Sequence, residues 1–266
     1  MTSVAILGAA GRMGEALIRC ARALHTTRVV AAVERADHPG LGQDVGEAAG
    51  LGRIGVLLCA DLVAAAEHAA VLIDFSDHRA VPGHAEVAVR LGKAMVIGTT
   101  GLDEGEARAV RAAAESIPVV WTPNMSLGVT LLFELVQQAA RALGLDYDAE
   151  IVETHHRHKK DAPSGTGLHL AEAVARGRGQ QLRDVACHGR DGIVGERPVG
   201  QIGIHAVRSG SVVGDHVVSL ASETEIIELS HRALSRDAFA AGALRAAQWV
   251  AGRPAGLYGM KDVLGL

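Results

Sequence analysis

The chain has 266 residues, of which 48% are hydrophobic, and a formal net charge of −4. A chain of this size can bury about three-quarters of the surface that it exposes when unfolded. The nearly balanced charge argues against a nucleic-acid or membrane-surface partner, because such partners select a basic excess. The sequence has no run of about eighteen apolar residues that could cross a bilayer. Scattered cysteines and the absence of a secretory signal predict a cytoplasmic protein.

The first elements along the chain are a strand, a glycine turn and a helix. The short, mostly apolar segment of residues 3–7 predicts the strand, and apolar residues resume at helical spacing from Ala16. Glycines between such elements let a pyrophosphate approach the helix N-terminus, where the helix dipole favours negative charge. The match to G-x-G-x-x-G is imperfect, because Ala9 stands at the position of the first glycine. The cofactor contacts predicted from this turn are Gly8, Ala9, Ala10, Gly11, Arg12 and Met13.

The second predicted strand, residues 28–33, ends at Glu34, twenty residues after Gly14. At this separation an acidic residue meets the adenosine ribose in dinucleotide-binding units. Arg35 follows directly, and a cation there can accommodate a 2′-phosphate. We therefore predict that Glu34 and Arg35 bind NADH and NADPH without a strict choice between them. A glycine turn in an ordinary βα unit, followed by a surface glutamate, remains the alternative.

Strands and helices continue to alternate up to residue 121, which predicts a parallel sheet with helices on both faces. Ligands of such sheets bind at the carboxyl ends of the strands. The loops there carry glycines and small hydroxyl residues, which suit hydrogen bonds to a ribose and a nicotinamide amide. Each loop taken alone is equally well explained as a turn. The cofactor contacts predicted from these loops are Gly98, Thr99, Thr100, Thr122, Pro123, Asn124 and Met125.

Past residue 126 the pattern changes. An apolar helix is predicted over 127–143, followed by longer strand-like segments with partial alternation between residues 201 and 230. These segments predict a mixed or antiparallel sheet. Residues 178–197 lack apolar periodicity, and we expect a long mobile loop there.

These patterns together predict an α/β fold with two domains. The first is a Rossmann-like, doubly wound parallel sheet that binds the dinucleotide, built from residues 1–126 and joined by residues 236–266. The second is an α+β domain with a mixed or antiparallel sheet over residues 127–235. We expect the second domain to bind the substrate and to form the oligomer interface.

Residues 153–166 have the most unusual composition, Glu-Thr-His-His-Arg-His-Lys-Lys-Asp-Ala-Pro-Ser-Gly-Thr. The segment has almost no apolar residue, so packing alone does not explain it. Histidine titrates near neutrality, and a lysine crowded by cations is pushed towards its neutral form. The composition therefore predicts a site that binds anions and moves protons. A solvated, charged loop is the plainer alternative.

A helix start directly follows this basic cluster. Ser164 is the predicted N-cap, and Gly165 and Thr166 open the helix. Because the first N–H groups of a helix have no acceptor within it, this turn predicts an anion site. Metal binding is the weaker interpretation, since His155 and His156 would point to opposite faces of an extended segment. We predict no metal.

From end to end the chain resembles the dihydrodipicolinate reductase family, also named 4-hydroxy-tetrahydrodipicolinate reductase, of bacterial and plant lysine synthesis. The likeness includes the glycine turn and Glu34-Arg35, and it is most specific in the family pattern HHxxKxDxPSGT. That pattern is matched by His155, His156, Lys159, Asp161 and residues 163–166.

The resemblance implies reduction of 4-hydroxy-tetrahydrodipicolinate, a cyclic dicarboxylate, by NADH or NADPH in lysine and diaminopimelate synthesis. It implies that Lys159 delivers the proton, that His155 is its acid/base partner, and that His156, Gly165 and Thr166 bind the substrate. It also implies a homotetramer built through the second sheet. Two other functions stay open: another NAD(P)-dependent dehydrogenase of two domains, such as an amino-acid dehydrogenase, and a dinucleotide sensor without turnover.

Overall fold

A computed structural model describes all 266 residues, which form two compact units. The first unit comprises Met1–Leu127 and Arg236–Leu266, and the second comprises Gly128–Ser235. Each unit has its own sheet and its own apolar core. None of the helices combines the length and the apolar character needed to cross a membrane.

The sheet of the first unit consists of seven parallel strands. They are β1 (Thr2–Leu7), β2 (Thr27–Val33), β3 (Leu58–Cys59), β4 (Val71–Asp74), β5 (Ala94–Ile97), β6 (Pro118–Trp121) and β12 (Gly256–Tyr258). Their order is β12-β6-β5-β4-β1-β2-β3. The direction of winding reverses between β1 and β4, and Rossmann-like sheets bind dinucleotides at such a switch point. The predicted fold class of this half is confirmed.

Helices cover both faces of this sheet. They are α1 (Arg12–Leu24), α2 (Val45–Ala48), α3 (Leu62–Glu67), a 3-10 turn (His78–Ala80) leading into α4 (Val81–Arg90), α5 (Glu104–Ala114), α9 (Asp237–Val250) and α10 (Met260–Leu264). Alternate residues of β1 explain the double cover. Val4 and Ile6 pack in one core with α1 and α9, while Ala5 and Leu7 pack in the other with α4 and α5. A strand buried on both faces needs this continuous apolar sequence.

The second unit has a mixed sheet of five strands. They are β7 (Asp148–His155), β8 (Ala186–His188), β9 (Ile202–Arg208), β10 (Gly214–Ala221) and β11 (Ile226–Ala233), in the order β11-β10-β7-β9-β8. β10 is antiparallel to β7 and β11, whereas β9 is parallel to β7 and β8. The remaining helices are α6 (Leu127–Leu143), α7 (Gly165–Gly177) and α8 (Leu182–Val185). α6 and α7 cover one face of this sheet. Because the sheet combines parallel and antiparallel pairs, the predicted mixed sheet is confirmed.

The central strand β7 was not predicted from the sequence. Its buried positions are Ala149, Ile151 and Glu153. The pattern is the period of two expected for a strand with one covered face, but a glutamate occupies the third inward position. Because this position carries a carboxylate, the apolar alternation that predicts a strand stops before β7 ends.

The expected long mobile loop over residues 178–197 was wrong in its first part. α8 and the edge strand β8 lie within it, and β8 pairs with β9. The rest of the segment is held by Arg190 and Arg197, which both donate hydrogen bonds to Glu150 of β7. Ion pairs rather than apolar contacts hold this segment in place. A sequence pattern based on apolar periodicity does not detect such contacts.

Candidate active site

The glycine turn of the first unit brings the backbone of β1 against that of β4. Gly8 has a φ of 76°, and a Cβ placed on it would lie 2.5 Å from the carbonyl oxygen of Phe75. A Cβ on Gly14 would lie 2.2 Å from the carbonyl oxygen of Ala9. Helix α1 begins after Gly11, and no side chain caps it. Its first amides therefore have no side-chain acceptor at the helix N-terminus, where an anion is favoured.

Four of the cofactor residues predicted from the glycine turn use their amides inside the protein. Gly8 donates to the carbonyl of Val33 at 3.0 Å, and Gly11 donates to the carbonyl of Gly8 at 3.1 Å. Ala9 donates to the carbonyl of Val33 at 3.2 Å, and Ala10 donates to Glu34 Oε1 at 3.2 Å. Ala9 is also buried in the core. These residues therefore shape the turn. Of the other residues predicted there, Arg12 is exposed and Met13 packs partly against the core.

A cavity of about 440 Å³ opens at the switch point between β1 and β4. Gly8, Gly11, Glu34 and Arg35 line it, and His84 of α4 lines it from the β4 side. This volume lies within the range of small-ligand and cofactor sites. The glycine backbone, the carboxylate and the guanidinium suit a pyrophosphate, a ribose and a 2′-phosphate respectively. The residues of the first unit thus fit a dinucleotide.

The carboxyl end of β4 carries a buried carboxylate that sequence reasoning missed. Asp74 accepts hydrogen bonds from the Ser76 hydroxyl at 2.6 Å, from the Thr99 hydroxyl at 3.0 Å and from His84 Nδ1 at 2.8 Å. Burial raises the pKa of Asp74, but the hydrogen bond from His84 and those from Ser76 outweigh it and hold that pKa below its usual value. Through its bond to Asp74 the Thr99 hydroxyl joins the ends of β4 and β5; its predicted contact with the cofactor stays a prediction. The acidic residue closing an apolar strand was the available signal.

The remaining predicted cofactor residues surround the ends of β5 and β6. A Cβ on Gly98 would lie 2.3 Å from the Phe75 ring, so only glycine fits there. Thr100 and Pro123 are exposed. The Thr122 hydroxyl donates to the carbonyl of Asn124.

Met125 has a different environment from the other residues of these loops. Its side chain is 2% exposed and lies in the core of the first unit. A cofactor contact by Met125 could therefore come only from its backbone.

The most buried polar group of the second unit is Glu153, at the end of β7. It is 0% exposed. Its carboxylate accepts hydrogen bonds from His155 Nδ1 at 2.5 Å, from the Ser164 amide at 2.9 Å and from two guanidinium nitrogens of Arg208 at 3.0 Å. Burial raises the pKa of Glu153, but the hydrogen bonds from Arg208, His155 and Ser164 outweigh it and hold that pKa below its usual value. A glutamate at an inward strand position was the signal that could have found it.

Glu153 determines how His155 can react. Because Nδ1 is hydrogen-bonded to the carboxylate, Nε2 is the ring nitrogen that remains for proton exchange. A Cβ on Gly214 would lie 3.1 Å from that nitrogen, so glycine at this position of β10 leaves room beside it. His155 is thus held by a carboxylate at Nδ1, while no side chain from position 214 blocks Nε2.

Ser164 caps helix α7 as predicted. Its side chain accepts from the Gly167 amide at 3.0 Å. The amides of Gly165 and Thr166 precede that bond at the helix N-terminus, where the dipole favours an anion. Gly165 is exposed, so a ligand can reach this turn.

Lys159 lies in the turn between β7 and α7. Its Nζ is 2.9 Å from Asp161 Oδ2, so the direct partner of this lysine is a carboxylate, which the expected crowding by cations did not include. Arg208 donates to the carbonyl of Asp161 at 2.6 Å. His156 is in the same turn and accepts from the Lys159 amide through its carbonyl. The structure therefore brings together the proton-transfer and substrate residues predicted from residues 153–166.

His216 of β10 was not predicted. It is 4% exposed, and its ring makes an edge contact with that of His155, at an interplanar angle of 74° and with 5.2 Å between centroids. Neither of its ring nitrogens has a hydrogen-bond partner. Burial, together with the charges of His155 and His231, lowers the pKa of His216 to about 4. It is therefore a neutral imidazole at neutral pH. No group of three or more histidine, cysteine or acidic side chains in the 266 residues is arranged to hold a metal ion.

Comparison with known proteins assigns the chain to a family. The model for the N-terminus of dihydrodipicolinate reductase matches residues 2–125, and the model for its C-terminus matches residues 128–264. The chain belongs to the dihydrodipicolinate reductase family. A relative from Anaeromyxobacter dehalogenans strain 2CP-1, named 4-hydroxy-tetrahydrodipicolinate reductase, is 50% identical over 266 residues, which cover 100% of this chain and 98% of the relative.

Further members of the family agree over the same length. A 4-hydroxy-tetrahydrodipicolinate reductase from Alkalilimnicola ehrlichii is 51% identical over 265 residues, which cover 100% of this chain and 99% of the relative. The solved structure of a dipicolinate-bound dihydrodipicolinate reductase from Paenisporosarcina sp. TG-14 has a TM-score of 0.76 at 23% identity, and the match covers 98% of this chain and 99% of that one. That likeness confirms the fold of the dihydrodipicolinate reductase family for this chain.

Proposed function

We propose that the protein reduces 4-hydroxy-tetrahydrodipicolinate to tetrahydrodipicolinate with NADH or NADPH, in lysine and diaminopimelate synthesis. One observation supports this function most. At the end of β7, a buried carboxylate bonds both His155 and the N-terminus of helix α7, and Lys159 lies in the turn between them. The same carboxylate thereby holds both the proposed proton-transfer group and the proposed anion site.

The substrate is a ring with two carboxylates, and the second unit offers groups for both charges. The amides of Gly165 and Thr166 bind one carboxylate at the helix N-terminus. His156 and the cationic turn around it bind the rest of the dianion and steer it into the site.

The proton comes from the protein. The nicotinamide supplies the hydride when it is bound. The 4-hydroxyl group of the substrate leaves as water to give a conjugated ring. Hydride addition to that ring leaves negative charge on a neighbouring carbon, which must be protonated. Lys159 Nζ delivers that proton, with Asp161 holding the ammonium at 2.9 Å, and His155 is its acid/base partner.

The choice between the two nicotinamide cofactors depends on Arg35 in this proposal. Its guanidinium is 3.3 Å from Asp37, and both side chains are largely exposed, so Arg35 can turn to a 2′-phosphate. We expect Arg35→Ala to raise the KM for NADPH by roughly 10- to 100-fold, the value of one charge-assisted hydrogen bond, and to leave the KM for NADH nearly unchanged. Steady-state kinetics with both cofactors measure this. Arg90→Ala, which removes an exposed arginine at the end of α4, is the control. An equal change for both cofactors contradicts the role of Arg35.

The reductase activity itself is tested by a coupled assay. The aldol condensation product of pyruvate and aspartate semialdehyde is generated in place, and the absorbance of the nicotinamide is followed. Oxidation of NADH or NADPH that depends on this product supports the function. Oxidation of amino acids instead would identify a dehydrogenase of another class, and tight NADH binding without turnover would identify a sensor.

We further propose a cytoplasmic homotetramer joined through the face of the second sheet that α6 and α7 leave open. Val152, Val207 and Ile226 lie on that face and are 37%, 42% and 65% exposed. Apolar groups in such a position support an interface between copies. All three cysteines are free, which fits a reducing compartment.

A further inference from the structure

Glu153 needs a physical explanation that packing does not give. It occupies an inward strand position after Ala149 and Ile151, where an apolar side chain would add to the core. Removing a carboxylate from water is unfavourable unless hydrogen bonds and an opposite charge compensate. Glu153 touches neither the reacting groups of the substrate nor the cofactor in the proposed reaction, so a different role must account for it.

The two carboxylate oxygens of Glu153 are divided between two functional segments. Oε2 accepts from His155 Nδ1 and from one nitrogen of Arg208. Oε1 accepts from the Ser164 amide and from the other nitrogen of Arg208. Each oxygen therefore has one bond to the guanidinium and one bond to a part of the proposed active site.

Arg208 extends this connection to a third segment. Its Nη2 also donates to the carbonyl of Asp161, and the carboxylate of Asp161 holds Lys159. A guanidinium fork fixes a carboxylate in one plane, which a single-point cation does not. Arg208 thus orients the carboxylate and the turn that carries the lysine together.

We propose that Glu153 is a positioning residue which, fixed by Arg208, aligns the proton-transfer group His155 with the carboxylate-binding N-terminus of helix α7. This inference rests on the proposed function, because it assigns His155 to proton transfer and Gly165 and Thr166 to substrate binding. One carboxylate then supports both halves of the reaction. Its loss disturbs turnover and dicarboxylate binding together, although it contacts no substrate.

Glu153→Gln is the main test, because it preserves the shape of the side chain. His155 and the Ser164 amide bond different oxygens of Glu153. A glutamine has an acceptor oxygen at only one of these two positions, so it cannot accept from both. We expect kcat to fall and the inhibition constant for dipicolinate to rise, each by about 10-fold or more, which is the effect of about 1.4 kcal/mol. The dissociation constant of NADH is expected to stay unchanged, since the dinucleotide site belongs to the first unit.

The ring of His155 gives a readout that a general loss of stability would not move. In the native protein we expect nitrogen-15 NMR to show the proton of the neutral ring on Nδ1, held by the carboxylate. In Glu153→Gln we expect a mixture of the two tautomers. Glu150→Gln is the matched control, because Glu150 is also a multiply bonded carboxylate of β7 but pairs with Arg190, Arg197 and His205. The control should retain kcat, the inhibition constant and the tautomer.

The outcomes separate this inference from the proposed function. A native protein that does not reduce the substrate overturns the function. An active native protein, with a folded Glu153→Gln variant that keeps either the native kcat or the native inhibition constant, overturns the positioning role. If Glu153→Gln does not fold, Arg208→Lys takes its place: it keeps the charge but loses the fork, and the same two constants must both change.

Discussion

Lys159→Ala is expected to lower kcat by roughly 10²- to 10⁴-fold, the usual contribution of a positioned general acid. The reason is that the ammonium, held at 2.9 Å by Asp161, is the group that protonates the reduced ring in the proposed mechanism. Lys159 lies in the second unit, whereas the predicted cofactor residues lie in the first. The dissociation constant of NADH is therefore expected to change little. Stopped-flow turnover and a fluorescence titration with NADH measure the two quantities.

Lys160→Ala is the control for this prediction. Lys160 is the next residue and is exposed, so the variant loses the same charge from the same turn. Both variants weaken the attraction of a dianionic substrate, but only Lys159→Ala removes the proton donor. Equal losses in the two variants would assign the effect to electrostatic steering, and equal losses of turnover and NADH affinity would count against the assignment of Lys159.

The alternation of strands and helices made the first unit predictable. The inner strands β1, β4 and β5 are short apolar runs buried on both faces, so local sequence and tertiary position agree there. The short edge strands β3 and β12 lack such a run and were not predicted. The loops predicted to bind the cofactor were chosen because they follow the strands. What the sequence did not show is how those residues are used: Thr99 bonds Asp74, and Met125 lies in the core.

The second unit was harder to predict, because polar residues occupy positions inside it. The basic composition around His155 and Lys159 predicted a site there. The helical pattern that follows Ser164 predicted that residue as the N-cap. Glu153 and His216 were assigned no role, since Arg208 reaches Glu153 from β9 and His155 contacts His216 from β7. The register places His216 opposite Glu153 and opposite His231. Contacts across a sheet depend on that register, which composition and local spacing do not determine.

His216→Phe is expected to weaken the pH dependence of stability between about pH 6.5 and pH 4. In the folded protein burial lowers the pKa of His216 to about 4, while an unfolded histidine titrates near pH 6.5. The folded state therefore binds fewer protons than the unfolded state in this range. His216 contributes full stability above about pH 6.5, and that contribution is lost as the pH falls through about 4. The difference between the two pKa values corresponds to about 3 kcal/mol of unfolding free energy. His216→Phe does not show this loss, because phenylalanine does not titrate.

The comparison must report on the second unit. Both tryptophans, Trp121 and Trp249, belong to the first unit, so tryptophan fluorescence does not follow His216. Amide hydrogen exchange of β10 measures the free energy of opening around the residue itself. His231 and the carboxylates Glu153 and Asp161, whose pKa values are also lowered, are present in both proteins and largely cancel in the difference. The free energy of opening of β10 is compared between about pH 6.5 and pH 4.5. If it falls by the same amount in the native protein and in His216→Phe, His216 is not the neutral, buried imidazole that its position beside His155 implies.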